Sequence, residues 1–156
     1  MAITLKFTNL LIIKEFRIER LILKMGNSIN YIRTLDLKDT NITPTQSETI
    51  LYYSSHPGRN IKDLAQYLNV THQAARKLVD KLKAEGILNL TVSSEDRRFT
   101  SIFLTAEGEK LSKTLKGNGF SVGQRILTDF SEQEKEKLLG YLLRIKRNID
   151  KEENKD

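Results

Sequence analysis

The chain has 156 residues, 38% hydrophobic and 29% charged, with two prolines, no tryptophan and a formal charge of +6. That is enough for one helix-rich globular domain with its own core. The absence of cysteine excludes disulfides, thiolate metal sites and cysteine redox chemistry; the positive balance favours an anionic partner without identifying it, because acids and bases are mixed along the chain.

The N-terminal stretch MAITLKFTNLLIIKEF has no uninterrupted apolar run longer than Leu10 to Ile13, and Lys14 and Glu15 follow at once. A secretory signal needs a longer apolar region, and a membrane helix needs about 18 apolar residues. The expected location is cytoplasmic. Ile18, Leu21, Ile22, Met25, Ile29 and Ile32 recur at helical spacing and predict a helix over 8–35. Leu10, Leu11, Leu23, Tyr31 and Leu35 widen its apolar face beyond the needs of one small core, which suggests packing against a partner chain.

Thr43-Pro44 with Gln46 forms a capping box for a second helix, which ends at His56-Pro57-Gly58. Asn60 caps a third, with Ile61, Leu64, Ala65 and Leu68 on its buried face. After a turn at Asn69-Val70, Thr71 caps a fourth that runs to Glu85 and Gly86, with Ala75, Leu78, Val79 and Leu82 facing inward. Residues 87–92 and 100–104 read as two strands joined by a polar hairpin loop. Thr105 caps a fifth helix carrying Leu111 and Leu115, and Ser131 with Glu134 opens a sixth through Leu138, Leu142, Ile145 and Ile149. The glycines at 117, 119 and 123 predict a kink or break between helices, and the tail KEENKD reads as frayed. The fold class is mainly α with a small β-ribbon (α+β).

Stepping about 100° per residue along the fourth helix puts Gln73, Arg76, Lys77 and Asp80 opposite the apolar positions, with His72 and Lys83 on the flank. Glutamine can pair with adenine and arginine with guanine through two hydrogen bonds each. A solvated amphipathic face fits this helix alone equally well. Arg97 and Arg98 fall at the hairpin tip, suited to the negative potential of a narrow minor groove, and Asp96 can hold a neighbouring guanidinium.

The order helix-helix-ribbon-helix, with D-x-R at Asp96-Arg97-Arg98 and L-T-x-x-G at Leu104-Thr105-Ala106-Glu107-Gly108, resembles the MarR family of winged-helix transcriptional regulators. The segment LVDKLKAEGIL fits the family's recognition helix and first strand. The resemblance covers residues 10–150 and is most specific over 44–111. It implies a single winged helix-turn-helix domain over 1–156, with a DNA-binding lobe at 44–105 and N- and C-terminal dimerisation helices at 8–35 and 106–150. It further implies a homodimer on double-stranded DNA, at a pseudo-palindromic operator, and repression relieved in many relatives by a small aromatic or other anionic effector. Carried over by position, the DNA contacts fall on Thr71, His72, Gln73, Arg76 and Lys77 in the helix and on Arg97 and Arg98 in the wing, with Asp96 orienting them.

The chain departs from the family in two places: Asn89-Leu90 stands where many relatives have a basic residue, and the glycine-rich stretch falls where they have one long helix. Tyr31, Tyr52, Tyr53 and His56 are candidates to line an effector cleft, although buried aromatics more often serve the core. No cofactor or metal is expected, since His56 and His72 are the sole histidines. No nucleophile-base set suggests an enzyme. The alternative function is a winged-helix protein-interaction module without sequence-specific DNA binding.

Overall fold

A computed structural model describes residues 2–92 and 100–153, with side chains described at 13–92, 100–119 and 121–152. The element order is α1 (Ala2–Asp36), α2 (Pro44–Ser55), α3 (Ile61–Leu68), α4 (His72–Ala84), β1 (Leu88–Val92), β2 (Thr100–Leu104), α5 (Ala106–Ile126) and α6 (Glu132–Glu153). The chain divides into two compact units, residues 1–119 and 120–156.

In the first unit, α2, α3, α4 and the ribbon surround one core. Ile50, Leu64, Ala75, Val79, Leu82 and Ile102 are wholly shielded from solvent within it. Local chemistry sets each helix start. The Thr43 hydroxyl accepts the Gln46 N–H, and the Gln46 side chain accepts the Thr43 N–H, completing the capping box. Asn60 accepts the Asp63 N–H at 3.0 Å, and Thr71 accepts the Ala74 N–H at 3.2 Å. Between α3 and α4 the backbone reverses through Asn69, whose φ of 51° is left-handed and suits asparagine better than most residues.

The far end of α4 is a junction. Gly86 adopts φ 72°, and the Ile87 N–H returns to the Leu82 carbonyl at 2.9 Å. The Thr105 N–H donates to the Ile87 carbonyl at 3.0 Å, and the Thr105 hydroxyl donates to the Gly86 carbonyl at 2.6 Å. That same hydroxyl accepts the Gly108 N–H at 3.1 Å, capping α5. Gly108 lies so close to Ile87 that any Cβ there would overlap the Ile87 carbonyl oxygen. The L-T-x-x-G sequence is therefore a clamp between the end of α4 and the start of α5.

The ribbon is antiparallel, pairing Leu88 with Leu104, Leu90 with Ile102 and Val92 with Thr100. On the other side of β2, the Gly58 N–H donates to the Ile102 carbonyl at 2.8 Å and the Ile102 N–H to the Arg59 carbonyl at 3.3 Å. Ile102 thus lies between β1 and residues 58–59, with its own N–H and carbonyl both bonded to the latter.

Three expectations change. The glycine stretch does not interrupt α5, which is helical from Ala106 to Ile126. Each glycine lowers helix propensity by about 1 kcal/mol relative to alanine, but none of the three adopts a positive φ, and Thr105, Glu107 and Glu109 support the helix start. Similarly, α6 continues through Glu153, half-way into the tail expected to fray, assisted by the Lys146–Asp150 pair at 2.8 Å, and 154–156 lie outside the described residues. Finally, α1 starts at Ala2, earlier than its apolar periodicity indicated.

Two outcomes follow from these local arrangements. Gly108→Ala should lower stability in urea unfolding by about 2 kcal/mol or more, as overpacking against backbone does. Gly117→Ala, where an added Cβ meets nothing within 4 Å, should instead raise it by about 0.5–1 kcal/mol. At the start of α6, hydrogen bonds from the Ser131 hydroxyl and backbone N–H hold the Glu134 carboxyl below the usual range. Its contribution is present above the unfolded-state pKa and is lost as pH falls through the depressed folded value. Ser131→Ala should move the Glu134 titration upward in carboxyl-carbon NMR.

Candidate nucleic-acid interface

The α4 helix is fixed by its inner face and offers its outer face. Ala75, Val79 and Leu82 are fully buried, whereas His72, Gln73, Arg76, Lys77, Asp80 and Lys83 are exposed. The sequence-derived wheel therefore placed each of these side chains on its observed side. Thr71 precedes the helix and its hydroxyl oxygen accepts the Ala74 N–H, which leaves the O–H as a donor for a ligand. Its position also sets where the positive end of the helix dipole emerges. Arg76 and Asp80 face one another along the outer surface, with Nε and Oδ2 3.9 Å apart.

The ribbon's pairing reaches Val92 and Thr100. Asp96, Arg97 and Arg98 themselves lie outside the described residues. Asn89, at the point where many relatives are basic, is exposed and pairs in register with Phe103, while Leu90 is half-buried.

The aromatic candidates separate into three situations. Tyr52 and His56 stack at 4.8 Å with 21° between their planes, and the His56 Nδ1–H donates to the Tyr52 carbonyl. Tyr53 lies edge-on to Tyr52, is 1% exposed and donates weakly to the Asn60 carbonyl at 3.4 Å, so it serves the core. Burial, followed by the neighbouring Tyr52 and Asp63, pushes its hydroxyl pKa well up. Tyr31 is 65% exposed on α1, and no described ring contact joins it to the others.

The structure adds Tyr67, which sequence reasoning passed over. Its ring lies 4.7 Å from Tyr52, and its hydroxyl donates to Glu48 at 3.3 Å. Glu48 also pairs with Arg33 at 2.6 Å. Burial and then Glu48 raise the Tyr67 pKa; burial and then Asp63 raise that of Tyr52. Both phenols thus remain protonated donors at neutral pH. The exposed Tyr67 on an otherwise amphipathic helix was the available signal, but its neighbours come from α1 and α2.

Among the described residues, no group of three or more His, Asp or Glu gathers as a metal site, and no helix is long and apolar enough to cross a membrane.

Comparison with known proteins gives concordant results. Residues 40–98 match the model of the MarR family. An uncharacterized HTH-type transcriptional regulator of Bacillus subtilis (strain 168), YybA, is 24% identical over 128 residues, covering 82% of this chain and 85% of its own. Among solved structures, the transcriptional regulator SlyA superposes with a TM-score of 0.82 at 20% identity, covering 86% of this chain and 95% of that one. The S. aureus MepR–DNA complex does so at 0.74 and 22%, covering 83% and 94%. The observed order of helices around a two-stranded wing agrees with these folds. Residues 40–98, over most of the winged-helix lobe, are thus similar to the MarR family of transcriptional regulators.

Proposed function

We propose that the protein is a sequence-specific DNA-binding transcriptional regulator. It acts as a homodimer on a pseudo-palindromic operator and represses until a small aromatic or anionic effector releases it. The observation that carries this reading is the outer face of α4, where His72, Gln73, Arg76 and Lys77 are all exposed on a helix anchored by three fully buried side chains. Gln73 and Arg76 supply base-edge chemistry, and Lys77 and His72 supply donors for phosphate. Arg97 and Arg98 add minor-groove contacts, oriented by Asp96. The similarly folded MepR of S. aureus has been solved in complex with DNA, which adds weight to this assignment.

The lobe over 44–105 would read DNA, while 8–35 and 106–150 would form the dimer. In support, α1 leaves Phe16, Leu21 and Leu35 about half exposed or more, and α6 does the same with Leu139, Tyr141 and Leu143. Apolar surface of this extent commonly marks an interface. Two-fold symmetry of the protein would match two half-sites. For the effector, the exposed side of the His56–Tyr52–Tyr67 stack offers flat aromatic surface, with Tyr31 a further candidate.

Titration onto the DNA upstream of its own gene and onto a scrambled duplex, at several salt concentrations, tests the reading. The upstream DNA should bind at least about a thousandfold tighter; equal affinities would favour an interaction module without sequence-specific binding. Arg97→Ala and Arg98→Ala should each flatten the slope of log K against log salt by about 0.9 per lost phosphate contact. Gln73→Ala should relax preference at one base pair by about tenfold, with little effect on the slope.

Sedimentation velocity should show a dimer. Leu142→Lys should shift it to monomer and weaken operator binding, while an unchanged dimer would move the interface away from α6.

A further inference from the structure

Asp80 is the only carboxylate within α4, whose other charged side chains are Arg76, Lys77, Lys81 and Lys83. On a face directed at phosphates, an acid weakens binding by repulsion. Helix stability gives a poor reason for its presence. Arg76 precedes Asp80, which is the less favourable order for an i,i+4 pair, and both side chains are well exposed, at 63% and 60%.

The geometry suggests a different use. Asp80 Oδ2 approaches the guanidinium from its Nε side, at 3.9 Å. That separation is an ion-pair attraction rather than a hydrogen bond, and a guanidinium drawn toward the carboxylate through Nε turns its Nη1–Nη2 edge away from it. Those nitrogens present parallel N–H groups that match the O6 and N7 acceptors of guanine. A free arginine has many rotamers to lose on binding, whereas a braced one loses fewer.

We propose that Asp80 is a positioning residue for base recognition, bracing Arg76 so that its outer edge reads a guanine that Asp80 does not touch. This rests on the reading of α4 as the helix that enters the major groove. The acid then lowers affinity for DNA in general and raises discrimination between sequences.

The test is selection from a randomised double-stranded library by the full chain and by Asp80→Asn, Asp80→Ala, Asp80→Glu and Arg76→Ala, followed by affinity measurements on the selected and scrambled duplexes. Arg76→Ala should abolish preference for guanine at one position in each half-site. Asp80→Asn and Asp80→Ala should reduce preference at that same position by about tenfold while binding scrambled DNA more tightly. Combining Asp80→Ala with Arg76→Ala should cost no further discrimination there. Asp80→Glu should restore much of it.

An ordinary surface ion pair would change only the thermal midpoint, leaving base preference intact, and that result overturns the proposal. So does a loss of cytosine preference on changing Asp80 that Arg76→Ala fails to reproduce, since Asp80 would then be contacting a base itself. Failure of the unaltered chain to enrich any sequence would overturn the DNA-reading assignment as well. Circular dichroism of each variant confirms that the exposed substitutions leave the fold intact.

Discussion

The hydroxyl of Thr105 holds the geometry of the lobe. It donates to the carbonyl at Gly86 and accepts the amide of Gly108, so one side chain joins the end of α4 to the start of α5. The backbone bond from Thr105 to Ile87 lies beside it, and the absent Cβ of Gly108 permits the close approach. With that point fixed, Leu88 must face Leu104 and the pairing continues along the ribbon to Val92 and Thr100. The direction in which the wing leaves α4 is therefore a consequence of hydrogen bonding at a single corner.

A second set of polar contacts ties the other side of the lobe together. Arg33 of α1 pairs with Glu48 of α2, and Glu48 accepts a hydrogen bond from Tyr67 of α3. Tyr67 in turn lies against Tyr52, which stacks on His56. The helix that precedes α4 is thus connected through Glu48 to the long N-terminal helix. Such a chain gives a physical route by which movement at α1 would be felt in the helix-turn-helix, although each of its exposed members contributes modestly on its own.

Much of this was legible because the signals are local. Caps at Thr43, Asn60, Thr71, Thr105 and Ser131 each act within three residues, and the 3.6-residue periodicity alone sorted α4 into a buried and an exposed face. The resemblance also located L-T-x-x-G, but only the packing of Gly108 against Ile87 explains why glycine stands there. Reading the glycines at 117, 119 and 123 as a break overstated propensity, which is a weak preference within a helix already started. Tyr67 was missed for the opposite reason, since its partners are distant in sequence. The wing residues Asp96, Arg97 and Arg98 remain known from sequence alone.

The corner at Thr105 also bears on the order in which the protein is made. It joins positions only nineteen residues apart, and α3, α4, β1 and β2 each pack against a neighbour in the chain. Closing such short loops costs little entropy at each step. On the ribosome, the segment through Gly108 can therefore reach its folded arrangement before α6 is complete. The nascent chain can acquire the outward face of α4 before its last helix is finished.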